Sequence, residues 1–252
     1  MTEVEPSLTV DDPDPADGGR IAELSRSALR YGVRVMALPE PRLAGRIYDF
    51  GRRPLTDRLR RQFPDAAAMS AFVESSCGPA LRRDWHELPG TPHWRRWAVV
   101  GASSRIEGKL YVSVAPEALP EAVATIAALA RAPSIAAFKV AAGAAGICRP
   151  DRLVVYVSAF EDLPNLGALL RGRLAGCPAD GVPFTAALTP DGMLSWAVDR
   201  PSGASWRQWL AGRLAQHLHV AADAGVPGPG RFAVDRLGLD GVDTVRWTPV
   251  MV

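Results

Sequence analysis

Lysine is the residue this chain nearly does without. Of 29 basic side chains only Lys109 and Lys139 are lysines, and the other 27 are arginines. Guanidinium stays protonated at any physiological pH, whereas a desolvated ammonium can lose its proton and serve as a base. In an Ala- and Arg-rich composition, of the kind a GC-rich genome produces, a surviving lysine marks a place where arginine would not do; the plainer reading is a chance survivor on a solvated surface. Cysteine is scarce as well. Cys77, Cys148 and Cys177 are odd in number and widely spaced, which excludes a disulfide framework or a zinc ribbon and fits a reducing, cytoplasmic setting. The four histidines (His86, His93, His217, His219) lack metal-ligand spacing, so no metal is expected. No run of 18 apolar residues and no basic-then-apolar leader occurs, so neither a membrane span nor a secretory signal is expected. GxSxG, HExxH and GxGxxG are all missing, which removes the usual hydrolase, metalloprotease and dinucleotide-binding readings.

What is present is a chain of 252 residues, 48% hydrophobic, enough for one large domain or two small ones. Its formal charge of +2 is unevenly spread. Residues 1–20 hold six acids against Arg20, a net of −5, so the remainder carries +7. Such a surplus suits phosphate or an acidic peptide, and an ordinary arginine-rich surface equally. No nucleic-acid partner is expected.

Residues 1–18, acidic and rich in Pro and Asp, are expected to form a disordered arm. From 19 to 93 the pattern is a helical N-terminal part, with Asp65 capping a helix that Cys77-Gly78-Pro79 ends. Arg82 to Arg96 has loop composition. From residue 94 to 252 an α+β part is expected, one compact unit with 19–93. Its strands are placed at 94–102 and 109–115, paired with each other across a polar turn, and at 134–141 and 151–158. A hairpin is placed at 182–188 and 193–198, across Thr189-Pro190-Asp191-Gly192. Helices follow Pro116, Asp162 and Ser205, and the tail after Gly225 reads as a linker and irregular chain. The fold class is α+β, an N-terminal helical segment followed by a mixed, largely antiparallel sheet with flanking helices.

In Gly108-Lys109-Leu110-Tyr111-Val112-Ser113-Val114 a strand puts Lys109, Tyr111 and Ser113 on one face and the aliphatics on the other. Lys109 and Tyr111 then flank a space where a base and an acid could meet a substrate. The plainer reading is the solvated face of an edge strand. Arg149-Pro150-Asp151-Arg152 stands before another strand; arginines with a carboxylate to orient them can clamp phosphate, though polar turn residues are common there. Arg200, and Arg207 near the Ser205 cap, suit an anion at a helix entrance, yet most such ends are merely capped. Trp206 and Trp209 read as core.

These segments together, Gly108 to Glu117, Phe138-Lys139-Val140, Arg149-Pro150-Asp151 with Val154-Val155-Tyr156, Gly181 to Thr185 and Gly192-Met193-Leu194, resemble the HopA effector-like lyases of class V lanthipeptide and thioamitide biosynthesis, over residues 94–248. Lys109-x-Tyr111 is similar to the Lys-x-His motif of OspF-type phosphothreonine lyases, with tyrosine in place of histidine. The resemblance implies elimination of phosphate from phosphoserine or phosphothreonine in a precursor peptide, giving dehydroalanine or dehydrobutyrine, with no cofactor and with a kinase-like partner protein. It implies Lys109 as the base, with Lys139, Arg149 and Tyr156 near the phosphate; Arg200 and Arg207 are further candidates. Tyr111 is the candidate hydrogen-bond donor, and the missing histidine leaves the acid open. The alternative is a non-catalytic, peptide-binding subunit. A virulence-type effector would need an export signal.

Overall fold

The computed structural model describes residues 19–103, 105–132, 134–198 and 205–250. The expected arm at 1–18 and the candidate Arg200 lie outside them. Four helices come first: α1 (Arg20–Arg34), α2 (Glu40–Tyr48), α3 (Asp57–Gln62) and α4 (Ala66–Asp84). On α1, Ile21, Ser25, Ala28, Leu29 and Gly32 are buried, the 3–4 spacing of a one-sided helix. Asp65 caps α4 by accepting from the Ala68 N–H at 2.8 Å. That helix does not stop at Gly78. A kink at Cys77 (φ −150°) absorbs Pro79, which has no N–H to give to the helix, and the helix resumes as far as Asp84.

Next come β1 (Trp85–Thr91), β2 (Trp94–Val99), β3 (Gly108–Val112), α5 (Leu119–Ala127), β4 (Ile135–Ala141), α6 (Gly143–Ile147), β5 (Leu153–Val157), α7 (Leu163–Arg173), β6 (Ala186–Ala187) and β7 (Leu194–Ala197). The stretch expected as a loop is the hairpin β1–β2. Its loop-like composition misled because Trp85 is a core residue, its Nε1 donating to the Ala127 carbonyl at 2.9 Å. The chain closes with α8 (Trp206–Asp223), α9 (Pro229–Leu239), β8 (Val242–Asp243) and β9 (Thr248–Pro249). Helix α9 replaces the expected irregular tail. Pro229 sits at its first position, where a missing N–H costs nothing, so the Pro/Gly run is a helix start rather than a linker.

Seven strands form one sheet in the order β1-β2-β4-β5-β3-β7-β6, and every adjacent pair is antiparallel. The fold is α+β, as expected. One expected pairing is corrected: β2 pairs with β1 and β4, while β3 pairs with β5 and β7. Alternation in β2 and β3 is compatible with many neighbours, and burial chooses among them. Beside β4, Trp97 stacks on Phe138 at 5.0 Å.

Both sheet faces are covered. Leu110, Val112, Phe138, Val140 and Val155 pack beneath α4, α5 and α7, together with Val73, Val123 and Leu166. On the opposite face Tyr111, Val154 and Ala197 pack with Leu43, Ile47, Trp206 and Leu210 of α2 and α8. Lys109 therefore does not sit on a solvated edge; β3 is an interior strand whose five residues are all buried.

Candidate functional site

The register decides what Lys109 faces. Lys109 stands opposite Tyr156 and Tyr156 opposite Ala137, while Tyr111 and Lys139 both stand opposite Val154. Arg96 is then opposite Lys139. Directly opposed residues in an antiparallel sheet share a face, so Lys109, Tyr156, Lys139 and Arg96 converge from four adjacent strands on the α2/α8 side. The Tyr156 ring is their meeting point. Lys109 Nζ lies 5.4 Å from its centroid, Lys139 Nζ 5.6 Å and the Arg96 guanidinium carbon 5.6 Å. Trp94 completes the wall, with Lys139 Nζ at 4.1 Å and the Arg149 guanidinium at 5.2 Å from its ring. Aromatic faces attract cations by ~0.5–2 kcal/mol. They bring no negative charge, so the cations around them still repel one another.

A carboxylate and a phenol hold the lower rim. Arg149 donates from Nε and Nη2 to both oxygens of Asp151, at 2.8 and 2.9 Å, and from Nη2 to Tyr48 Oη at 2.6 Å. Tyr48 Oη in turn lies 3.2 Å from Asp151 Oδ2, donating to it. Arg207 Nη1 donates to the same carboxylate at 2.8 Å, while its Nε and Nη2 bond the Pro183 and Tyr48 carbonyls at 3.0 and 2.9 Å. Asp151 is buried, which alone would raise its pKa; Arg207 and Arg149 outweigh that and hold it well below the usual carboxylate range.

That carboxylate is shared between two guanidiniums, and its pull on Lys139 is outweighed. Lys139 shows the consequence. Burial first, then Lys109, Arg149 and Arg96, lower its pKa to about 8 against the pull of Asp151. At that value roughly a tenth of the amine is neutral at pH 7, against well under a thousandth for an unperturbed lysine.

Of the residues singled out in the sequence, Lys109, Lys139, Arg149 and Tyr156 are brought together. Arg207 joins through Asp151 and Tyr48, with all three of its nitrogens engaged inside the protein. Tyr111 is 3% exposed and packs in the apolar layer with Val154 and Trp206. Three residues escaped sequence reasoning. Trp94 and Arg96 carried a usable signal, since period-two alternation in Trp94-Arg95-Arg96-Trp97 puts both on one face. Tyr48 carried none; it comes from a helix 101 residues before Arg149. Among the described residues no group of three or more His, Cys, Asp or Glu could hold a metal ion, and no helix is long and apolar enough to cross a membrane.

No family model and no curated protein matches the chain. Solved structures do. The effector protein from Pseudomonas syringae pv. syringae strain 61 superposes with a TM-score of 0.58 at 15% identity, covering 90% of this chain and 97% of its own. The effector protein from Pseudomonas syringae pv. tomato strain DC3000 gives 0.56 at 14% identity, covering 89% and 96%. At such identities the likeness is one of fold, and the chemistry rests on the residues above.

Proposed function

We propose that the chain is a phosphate lyase acting on phosphoserine or phosphothreonine in a peptide. The observation that carries this is the convergence of the chain's only two lysines on one cluster of cations around the Tyr156 and Trp94 rings. A base takes the Cα proton, the electron pair forms the Cα=Cβ bond, and the Cβ–O bond breaks to release phosphate. The reaction needs a neutral amine and surrounding cations. Arginine supplies only the second, which accounts for lysines in a chain that otherwise uses arginine.

Lys109 is assigned as the base, as the motif resemblance implies. Lys139, Arg149 and Arg96 face the phosphate, and Tyr156 keeps the two ammonium groups apart. Arg207 holds Asp151, which fixes the Arg149 fork. Arg200 is a further phosphate candidate. Tyr111 is assigned as hydrogen-bond donor to the departing oxygen. The peptide is a ribosomal precursor that a kinase-like partner phosphorylates, and its product carries dehydroalanine or dehydrobutyrine.

A second reading has its own support. Tyr111 replaces the histidine of the lyase motif and lies in an apolar layer, which suits a subunit that binds the phosphopeptide without turning it over. Incubation with a synthetic phosphopeptide separates the two. Mass spectrometry should show loss of phosphoric acid and a new alkene that adds thiols. Tight, phosphate-dependent binding with no mass change would establish the binding subunit instead. Equal binding of phosphorylated and unphosphorylated peptide at low salt would remove the phosphate site altogether.

A further inference from the structure

Residues 1–18 hold six acids and no basic residue, and Leu8 and Val10 stand directly before the pair Asp11-Asp12. Nothing in the lysine cluster accounts for this segment. A groove of about 720 Å³ lies between the C-terminal half of α1 and the start of α9. Val33, Phe50 and Phe232 line it as half-buried apolar side chains, with exposed Arg30, Arg34 and Arg231 around them. Its acid is Asp235, 3.9 Å from Arg231 with both side chains largely exposed, a pairing of little weight.

We propose that this groove is the seat of the chain's own acidic N-terminal segment, with Leu8 and Val10 on the apolar floor and Asp11 and Asp12 against the arginines. Three observations converge. The first is charge: α1 carries Arg26, Arg30 and Arg34 four residues apart, hence along one side of the helix, while its acid Glu23 is taken by Arg20 at 3.0 Å. The second is reach. From Gly19 to Arg34 the helix rises about 22 Å, and the seven residue steps from Asp12 to Gly19 span about 23 Å when extended. The third is composition, apolar residues beside acids meeting apolar residues beside arginines. A tethered segment has an effective concentration on the order of mM, so even a weak site is substantially occupied. This inference stands independently of the elimination reading.

The test uses the full chain with the photo-reactive residue p-benzoylphenylalanine in place of Leu8. Crosslinks should map, within one chain, to Val33, Arg34 or residues 226–232. The exposed pair Arg34→Glu with Arg231→Glu should cut that yield about tenfold, and adding Asp11→Arg with Asp12→Arg should restore it. Raising salt to about 1 M, where the Debye length is about 3 Å, should also reduce it. Crosslinks to Lys139 or Arg96 would place the segment at the lysine cluster instead and overturn the proposal. So would crosslinks to a second copy, crosslinks scattered over the surface, or a groove yield indifferent to charge reversal. No turnover is involved, so the result does not depend on whether the chain eliminates phosphate.

Discussion

Lys109 lowers the basicity of Lys139. The two ammonium groups reach the Tyr156 ring from strands on either side of it, 5.4 and 5.6 Å from its centroid, and the charge of Lys109 is the largest cause after burial of the depressed Lys139 pKa. Two like charges held beside one ring favour an added negative charge. A phosphate dianion would supply it.

Substituting each lysine by arginine keeps the charge and replaces an amine by a guanidinium, which does not serve as a base. Lys109→Arg is expected to abolish elimination, a loss of ~10²–10⁴-fold in turnover for a general base, with phosphopeptide affinity retained. Lys139→Arg should cost less, because a phosphate-facing cation survives. Turnover on a phosphopeptide, followed by mass spectrometry, checks both; the opposite ranking would move the base role to Lys139.

Phosphopeptide binding is expected to take up protons near pH 8. Free Lys139 is half-protonated at its pKa of about 8, and a bound dianion favours the charged form, raising that pKa. Uptake should approach roughly half a proton per peptide at pH 8 and fade towards pH 6, where the amine is already charged. Calorimetry in buffers of different ionisation enthalpy measures it. Uptake unchanged in Lys139→Met would show that another group titrates.

Asp151→Asn should destabilise the fold by ~3–5 kcal/mol, since it leaves the buried Arg207 and the half-buried Arg149 without their carboxylate. Urea unfolding at pH 7 checks the magnitude. Because Asp151 has a depressed folded-state pKa, its contribution is present above the unfolded-state value of ~3.9 and is lost as pH falls through the folded-state pKa. The variant should therefore differ most from the parent at neutral pH and converge with it in strong acid.

Tyr111→Phe is expected to lower turnover ~10²–10³-fold with affinity nearly unchanged, the usual cost of losing one donor to developing negative charge. Unchanged turnover would take Tyr111 out of the chemistry and leave Tyr156, whose ring the ammonium groups face, as the tyrosine to examine by the same substitution.

The α+β class, the N-terminal helices and the cores of β3, β4 and β5 were legible in the sequence because short-range periodicity writes them directly. The chemical signal was legible too: two lysines among 29 basic residues stand out because chemistry distinguishes an amine from a guanidinium. Sequence could not say which strands would be neighbours. Alternation fixes a strand's two faces and leaves its partners open, so β2 and β3 read as a hairpin although two strands lie between them. Long-range burial set the strand order, and that order brings Lys109 beside Tyr156, Lys139 and Arg96. Tyr48 and the sharing of Asp151 between Arg149 and Arg207 belong to the tertiary structure alone. They join residues 56 to 103 positions apart, and only the packing of α2 and α8 over the sheet brings them within hydrogen-bonding range.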